Sequence, residues 1–146
     1  MALTRKLASI FYGLTSILAL IGTWGNNVQY LSLGFVGGNL RFWQETLANP
    51  ASRSITVDVW FLGLAVCLWM LLEARRIGMK NAWLYVIFGI FIAISVTFPL
   101  FMLNREQALS KLEGNSTAGQ LNISEIAILA FIAVVACAYT FIALAR

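Results

Sequence analysis

Four long apolar runs with almost no charge inside them, Leu7 to Trp24, Ile55 to Leu72, Trp83 to Leu103 and Ile123 to Leu144, constrain this chain more than any motif in it. Each is about the 17–25 residues a helix needs to cross a hydrocarbon core, where a backbone finds no hydrogen-bond partner but itself. With 60% hydrophobic and only 11% charged side chains in 146 residues, the chain could not hide this surface as a soluble domain, because small domains leave a large fraction of their surface exposed. The expectation is an all-α integral membrane bundle of four transmembrane helices, forming a single domain over residues 1–146.

A net charge of +4 would point a soluble protein towards nucleic acid, but here the cations flank apolar runs. They read as topology signals, with no nucleic-acid partner expected. The N-terminus, the second connection and the tail carry six of them (Arg5, Lys6, Arg75, Arg76, Lys80, Arg146), and the first and third connections carry four (Arg41, Arg53, Arg105, Lys111). Positive-inside bias then places both termini and the Glu73 to Asn81 turn in the cytoplasm, in a bacterial inner membrane or a thylakoid-type membrane. Arg5-Lys6 before an apolar stretch also resembles a secretory signal. With no small-x-small site after Ile21, an uncleaved first helix is expected.

Between the first two runs, Leu40, Trp43, Gln44 and Leu47 fall at helical spacing. The pattern predicts a short amphipathic helix over about residues 38–48, lying in the outer headgroup layer and stopped by Asn49-Pro50. Gly78 and Asn81 mark a tight turn into the third run, where Gly89, Ala93 and Thr97 form a ladder of small residues. Pro99 is expected to kink that helix. Ala130, Ala133, Cys137 and Thr140 form a second seam on the fourth run, which Ser124 would cap with Glu125 in its first turn. Two sequons stand at Asn115 and Asn122. The chain has no His, and its two Cys lie mid-run, so no cofactor and no metal site is expected.

A set of residues from about Leu31 to Leu109 resembles an uncharacterised family of small, mainly bacterial membrane proteins, domain-of-unknown-function family 2834. It comprises Asn49-Pro50, Asp58, Glu73-Ala-Arg75-Arg76-Ile-Gly-Met-Lys80 followed by Trp83, and Phe98-Pro99-Leu100-Phe101 leading to Arg105-Glu106. The chain departs from the family pattern at Phe98, where the family has leucine, and at Asn104 before the charged pair. The resemblance implies an α-helical membrane fold and no mechanism.

Folding four spans back and forth gathers the remaining polar residues at the outer side. Asp58 stands out, since an ionised carboxylate inside an apolar span costs about 2.5–3.5 kcal/mol and usually faces a partner or a cavity. In one reading it caps its helix or pairs at the interface with Arg53 or Arg105. In the other, Asp58, Arg105, Glu106 and Glu125 form the mouth of a pocket roofed by the Arg41 and Glu45 helix and walled by Trp43, Trp60, Phe98, Pro99 and Phe101. The basic turn of Glu73, Arg75, Arg76 and Lys80 is a second candidate, for lipid headgroups or a partner. The function expected is non-enzymatic: packing in a larger membrane complex, or holding a lipophilic small molecule at the outer face, with membrane lipids as the surroundings. The alternative is acid-initiated chemistry on an isoprenoid or lipid, in the manner of integral-membrane terpene cyclases.

Overall fold

The computed structural model describes residues 3–112 and 123–145, and every regular element among them is helical. α1 (Leu3–Asn27) leads through a 3₁₀ turn (Val28–Leu33) into α2 (Gly34–Thr46), followed by α3 (Pro50–Arg76), α4 (Ala82–Phe91), α5 (Ile94–Leu112) and α6 (Ile123–Leu144). Three helical stretches, Arg5–Thr46, Pro50–Arg76 and Ile123–Leu144, are long and apolar enough to cross a membrane. The expected count of four is corrected by the third apolar run, which is two helices.

Local chemistry explains most boundaries. Asn49 is extended and accepts from the Ser52 amide at 2.9 Å, while the Ser52 hydroxyl takes up the Asn49 amide, so a reciprocal capping box starts α3 with Pro50 in its first turn. Asn49-Pro50 therefore stops the preceding segment and starts the next helix earlier than the hydropathy of residues 55–72 predicts. The other end of α3 closes in a Schellman motif, with the Met79 amide donating to Ala74 O at 2.8 Å and the Gly78 amide to Arg75 O at 3.4 Å. Gly78 has φ +70°, which a residue with a Cβ adopts only under strain. Asn81, at φ +62°, then turns the chain into α4.

At Ile92 and Ala93 the chain reverses. The Ile92 amide still donates to Phe88 O, closing α4, and Ala93 O accepts from the Val96 and Thr97 amides, opening α5. The two helices fold back on each other as an antiparallel hairpin: Asn104 Nδ2 donates to the Tyr85 hydroxyl, and a Cβ on Gly89 would lie 2.9 Å from Thr97 Oγ1 and 3.0 Å from Ile94 Cδ1. The ladder of Gly89, Ala93 and Thr97 is thus not one stripe facing a neighbour. It is the inside of the bend.

Donors from α1 serve the bend. Trp24 Nε1 donates to Ile92 O at 3.2 Å, and Ser16 Oγ donates to Val96 O at 2.9 Å, beside the carbonyl that Pro99 deprives of its usual donor. Trp24, at the end of the first apolar run, thus has a specific backbone partner. α1 lies antiparallel along α5, and the core of Met70, Ala74, Ala82, Val86 and Phe101 joins α3 to the hairpin.

α6 meets the far end of α1, where Gly22 faces Thr140 and Gly25 faces Leu144. A Cβ on Gly25 would collide with the Leu144 side chain. Residue numbers rise together along both helices, so α6 runs in the same sense as α1. The C-terminal end of α6 therefore lies about 30 Å along α1 from Arg5, and the described ends of the chain are at opposite ends of the helices. Of the expected seam on α6, Thr140 packs against Gly22 of α1, whereas Ala130, Ala133 and Cys137 are exposed. Ser124 lies inside α6, not at its cap. The two sequons fall outside the described residues, apart from the last positions of the second.

Candidate functional site

The strongest concentration of buried charge in the described chain lies where α1, α3 and α5 end together. Glu73, in the last turn of α3, accepts from Arg76 Nε at 2.6 Å and Nη2 at 2.7 Å, and from Arg105 Nε at 2.7 Å. Arg105 also donates through Nη1 to Glu106 Oε1 at 2.9 Å, and Glu106 faces Arg5 Nε at 3.9 Å. Arg5, Glu73 and Glu106 are buried, and the Arg105 side chain is 19% exposed. Three guanidinium groups and two carboxylates thus alternate across three helices.

Aromatic rings form the floor beneath this chain of charges. The Arg105 guanidinium lies 5.9 Å from the centroid of Trp69, within cation–π range. Trp69 stands edge-on to Phe98 and Phe101 at 5.9 Å each, and Tyr85 to Phe101 at 5.5 Å. Phe101 is fully buried and Pro99 is buried beside this layer.

The outer pocket read from the sequence is not assembled. Asp58 is exposed and makes no hydrogen bond or ion pair with a described residue. It sits fifteen positions before Glu73 on the same helix, about 22 Å along its axis, so Arg105 and Glu106, held at Glu73, are beyond its reach. Nor does it cap α3, since Asn49 does. Arg53 donates instead to Leu47 O at 3.0 Å. The pairing failed because a continuous third helix would carry Arg105 to the outer side, whereas the bend at Ile92 and Ala93 returns it to the side it left.

What remains at the far end is a smaller group. Trp43 stacks on Trp60 with centroids 5.5 Å apart, and Glu45 accepts from Arg41 Nε at 2.6 Å and from the Tyr30 hydroxyl. Glu125 is exposed in the first turn of α6. Of the basic turn, Glu73 and Arg76 join the buried network, while Arg75 and Lys80 are exposed. Arg5, read only as a topology signal, is a buried member of the network. Its position beside Glu106 follows from α1 lying along α5 and has no local signature.

Guanidinium–carboxylate contacts of this kind bind helices to one another and fix their orientation. Among the described residues no three His, Cys, Asp or Glu side chains gather as metal ligands would.

A family model described as "Protein of unknown function DUF2834" matches residues 11–107. The chain belongs to this DUF2834 family. The matched segment runs from within α1 to just past Glu106, so it contains most of the helix that supplies Ser16 and Trp24, the whole hairpin bend, and Glu73, Arg76, Arg105 and Glu106. α6 lies outside it. The DUF2834 segment thus contains most of the packed core and all of the charge network except Arg5. No curated protein and no solved structure matches the chain.

Proposed function

We propose that this DUF2834 protein is a non-catalytic integral membrane protein that packs into a larger membrane assembly through α6. The observation carrying this reading is that no residue of α6 is buried by its own chain, although the helix is 22 residues long and the most apolar of the three candidate spans. Its Ala130, Ala133 and Cys137 are small and exposed, a surface that lets a second helix approach closely in lipid, where packing and not hydrophobicity drives association. The polar network supports the same view, since Glu73 of α3 accepts from Arg105 of α5 and Glu106 of α5 faces Arg5 of α1, so its charges hold helices together.

In this reading α1, α3 and α6 span the membrane, α4 and α5 enter it and return as a re-entrant hairpin, and α2 lies along the outer surface. Such a bend suits the membrane interior only when protein donors serve its carbonyls, as Trp24 does for Ile92. Positive-inside bias then sets Arg5, Lys6, Arg75, Arg76, Lys80, Arg105 and Lys111 together on the cytoplasmic side, against Arg41 and Arg53 outside. The N-terminal end is cytoplasmic and the C-terminal end of α6 external, in a bacterial inner or thylakoid-type membrane.

Gentle extraction in native lipid, followed by cross-linking and identification of what co-purifies, tests the proposal. A stoichiometric membrane partner is expected, lost in Ala133→Phe with the melting temperature of the isolated chain unchanged. A chain that extracts alone in both forms overturns it.

A further inference from the structure

A groove of about 420 Å³ runs along the hairpin, from Lys80 and Asn81 at its mouth past Leu84 and Phe88 of α4 to Ile92 at the bend, with Val96 and Leu100 of α5 as the opposite wall. This volume lies within the roughly 300–1,000 Å³ of small-molecule sites. α4 is ten residues long, about 15 Å along its axis, which is half of a hydrocarbon core about 30 Å thick. The groove therefore has the depth of one leaflet, with apolar walls and a cationic mouth.

The cations at that mouth differ from their neighbours. Arg5, Arg76 and Arg105 face carboxylates, whereas Lys80 and Arg75, on either side of the Schellman turn, are exposed and form no ion pair with a described residue. From charge and shape together we propose that the groove is a binding slot for an anionic phospholipid of the leaflet on the Lys80 side, its acyl chain between α4 and α5 and its phosphate at Lys80, with Arg75 adding to the local positive potential. A neutral lipid would leave the mouth charge uncompensated. A purely superficial attraction of headgroups would not use the apolar slot. The inference rests on the re-entrant hairpin proposed above and not on the docking role of α6, which lies away from this groove.

The test uses the full-length protein in phosphatidylcholine vesicles containing a trace of acyl-chain spin-labelled phosphatidylglycerol or spin-labelled phosphatidylcholine, reading the motionally restricted fraction by electron paramagnetic resonance. Wild type is expected to prefer phosphatidylglycerol by about fivefold, the effect of about one surface lysine. Lys80→Gln removes that preference, while Lys111→Gln, which changes an exposed cation at the same end of the molecule, leaves it. Leu84→Trp and Phe88→Trp, which fill the slot, lower the restricted fraction of both labels. Two such variants, each checked for an unchanged melting temperature, guard against one misfolding. Equal restriction of the two labels in wild type overturns the proposal. So does a preference that disappears in Lys80→Gln with no loss of restricted lipid in the folded slot-filling variants, because attraction at the surface would then suffice.

Discussion

Glu73 receives guanidinium groups from two helices, but its two partners differ in burial: the Arg105 side chain is 19% exposed and that of Arg76 is 60% exposed. Removing one member of a buried pair leaves an uncompensated charge and costs about 3–5 kcal/mol, whereas an exposed pair contributes at most about 1 kcal/mol. Arg105→Gln should therefore lower the melting temperature in detergent far more than Arg76→Gln. In a double-mutant cycle, Glu73→Gln and Arg105→Gln should be non-additive by about 0.5–3 kcal/mol, as contacting residues are. The cycle of Asp58→Asn with Arg105→Gln should instead be additive, because about 22 Å of helix separates Asp58 from the Glu73 that holds Arg105. Coupling between Asp58 and Arg105 would restore the outer pocket and reject the bend.

Among the elements, the hairpin depends most on a single position. Gly89 sits where α4 and α5 approach closely, and an added Cβ would press on buried Thr97 and on Ile94. Gly63, in the middle of α3, has nothing within 4 Å of where a Cβ would stand. Both are helical glycines, so propensity alone predicts a gain of up to about 1 kcal/mol from alanine at either site. Packing separates them. Gly63→Ala should match or exceed wild type in thermal stability, while Gly89→Ala should lose about 1–3 kcal/mol, the usual range for overpacking. If Gly89→Ala stabilises as Gly63→Ala does, α4 and α5 are not in close contact at that point.

For the whole molecule, the number of membrane crossings distinguishes the bend from a straight third helix. Cysteines placed singly at exposed Lys80 and Lys111, in a protein with Cys67 and Cys137 replaced by alanine, should react with an impermeant reagent from the same side, and one at exposed Gln44 from the other. A continuous helix over residues 83–103 would instead set Lys80 and Lys111 on opposite sides. Reporter domains fused to the two ends of the chain should likewise report opposite compartments, because α6 runs in the same sense as α1. The six-to-four division of cations expected for a four-span chain becomes seven against two among the described residues when Arg105 and Lys111 return to the side of Lys80. The hairpin thus sharpens the difference in charge between the two ends of the helices, the asymmetry on which a positive-inside bias acts.

The all-helical class with long apolar helices, the apolar middles of α1 and α3, the extent of α6, the turn at Gly78 and Asn81 and a helix overlapping residues 38–48 were legible in the chain, because hydropathy, breakers and capping act within a few residues. Asn49-Pro50 was read as a stop, and its second role as the start of α3 lay in the same local chemistry. The site was legible only in pieces. Arg5, Glu73 and Arg76 were assigned to one side of the membrane and Arg105 and Glu106 to the other, and Arg5 was read as a topology signal and not as part of a site. Their assembly depends on the bend, and no breaker occupies Ile90 to Phe98, so one straight helix would satisfy that backbone equally well. What tips the balance comes from distant segments: the Trp24 indole on Ile92 O, 68 positions away, Ser16 on Val96 O, 80 away, and Glu73 holding Arg105 across 32. Hydrogen bonds and ion pairs of that separation exist only once the helices have packed, so the tertiary structure alone decided where the third run breaks and where the buried charges meet.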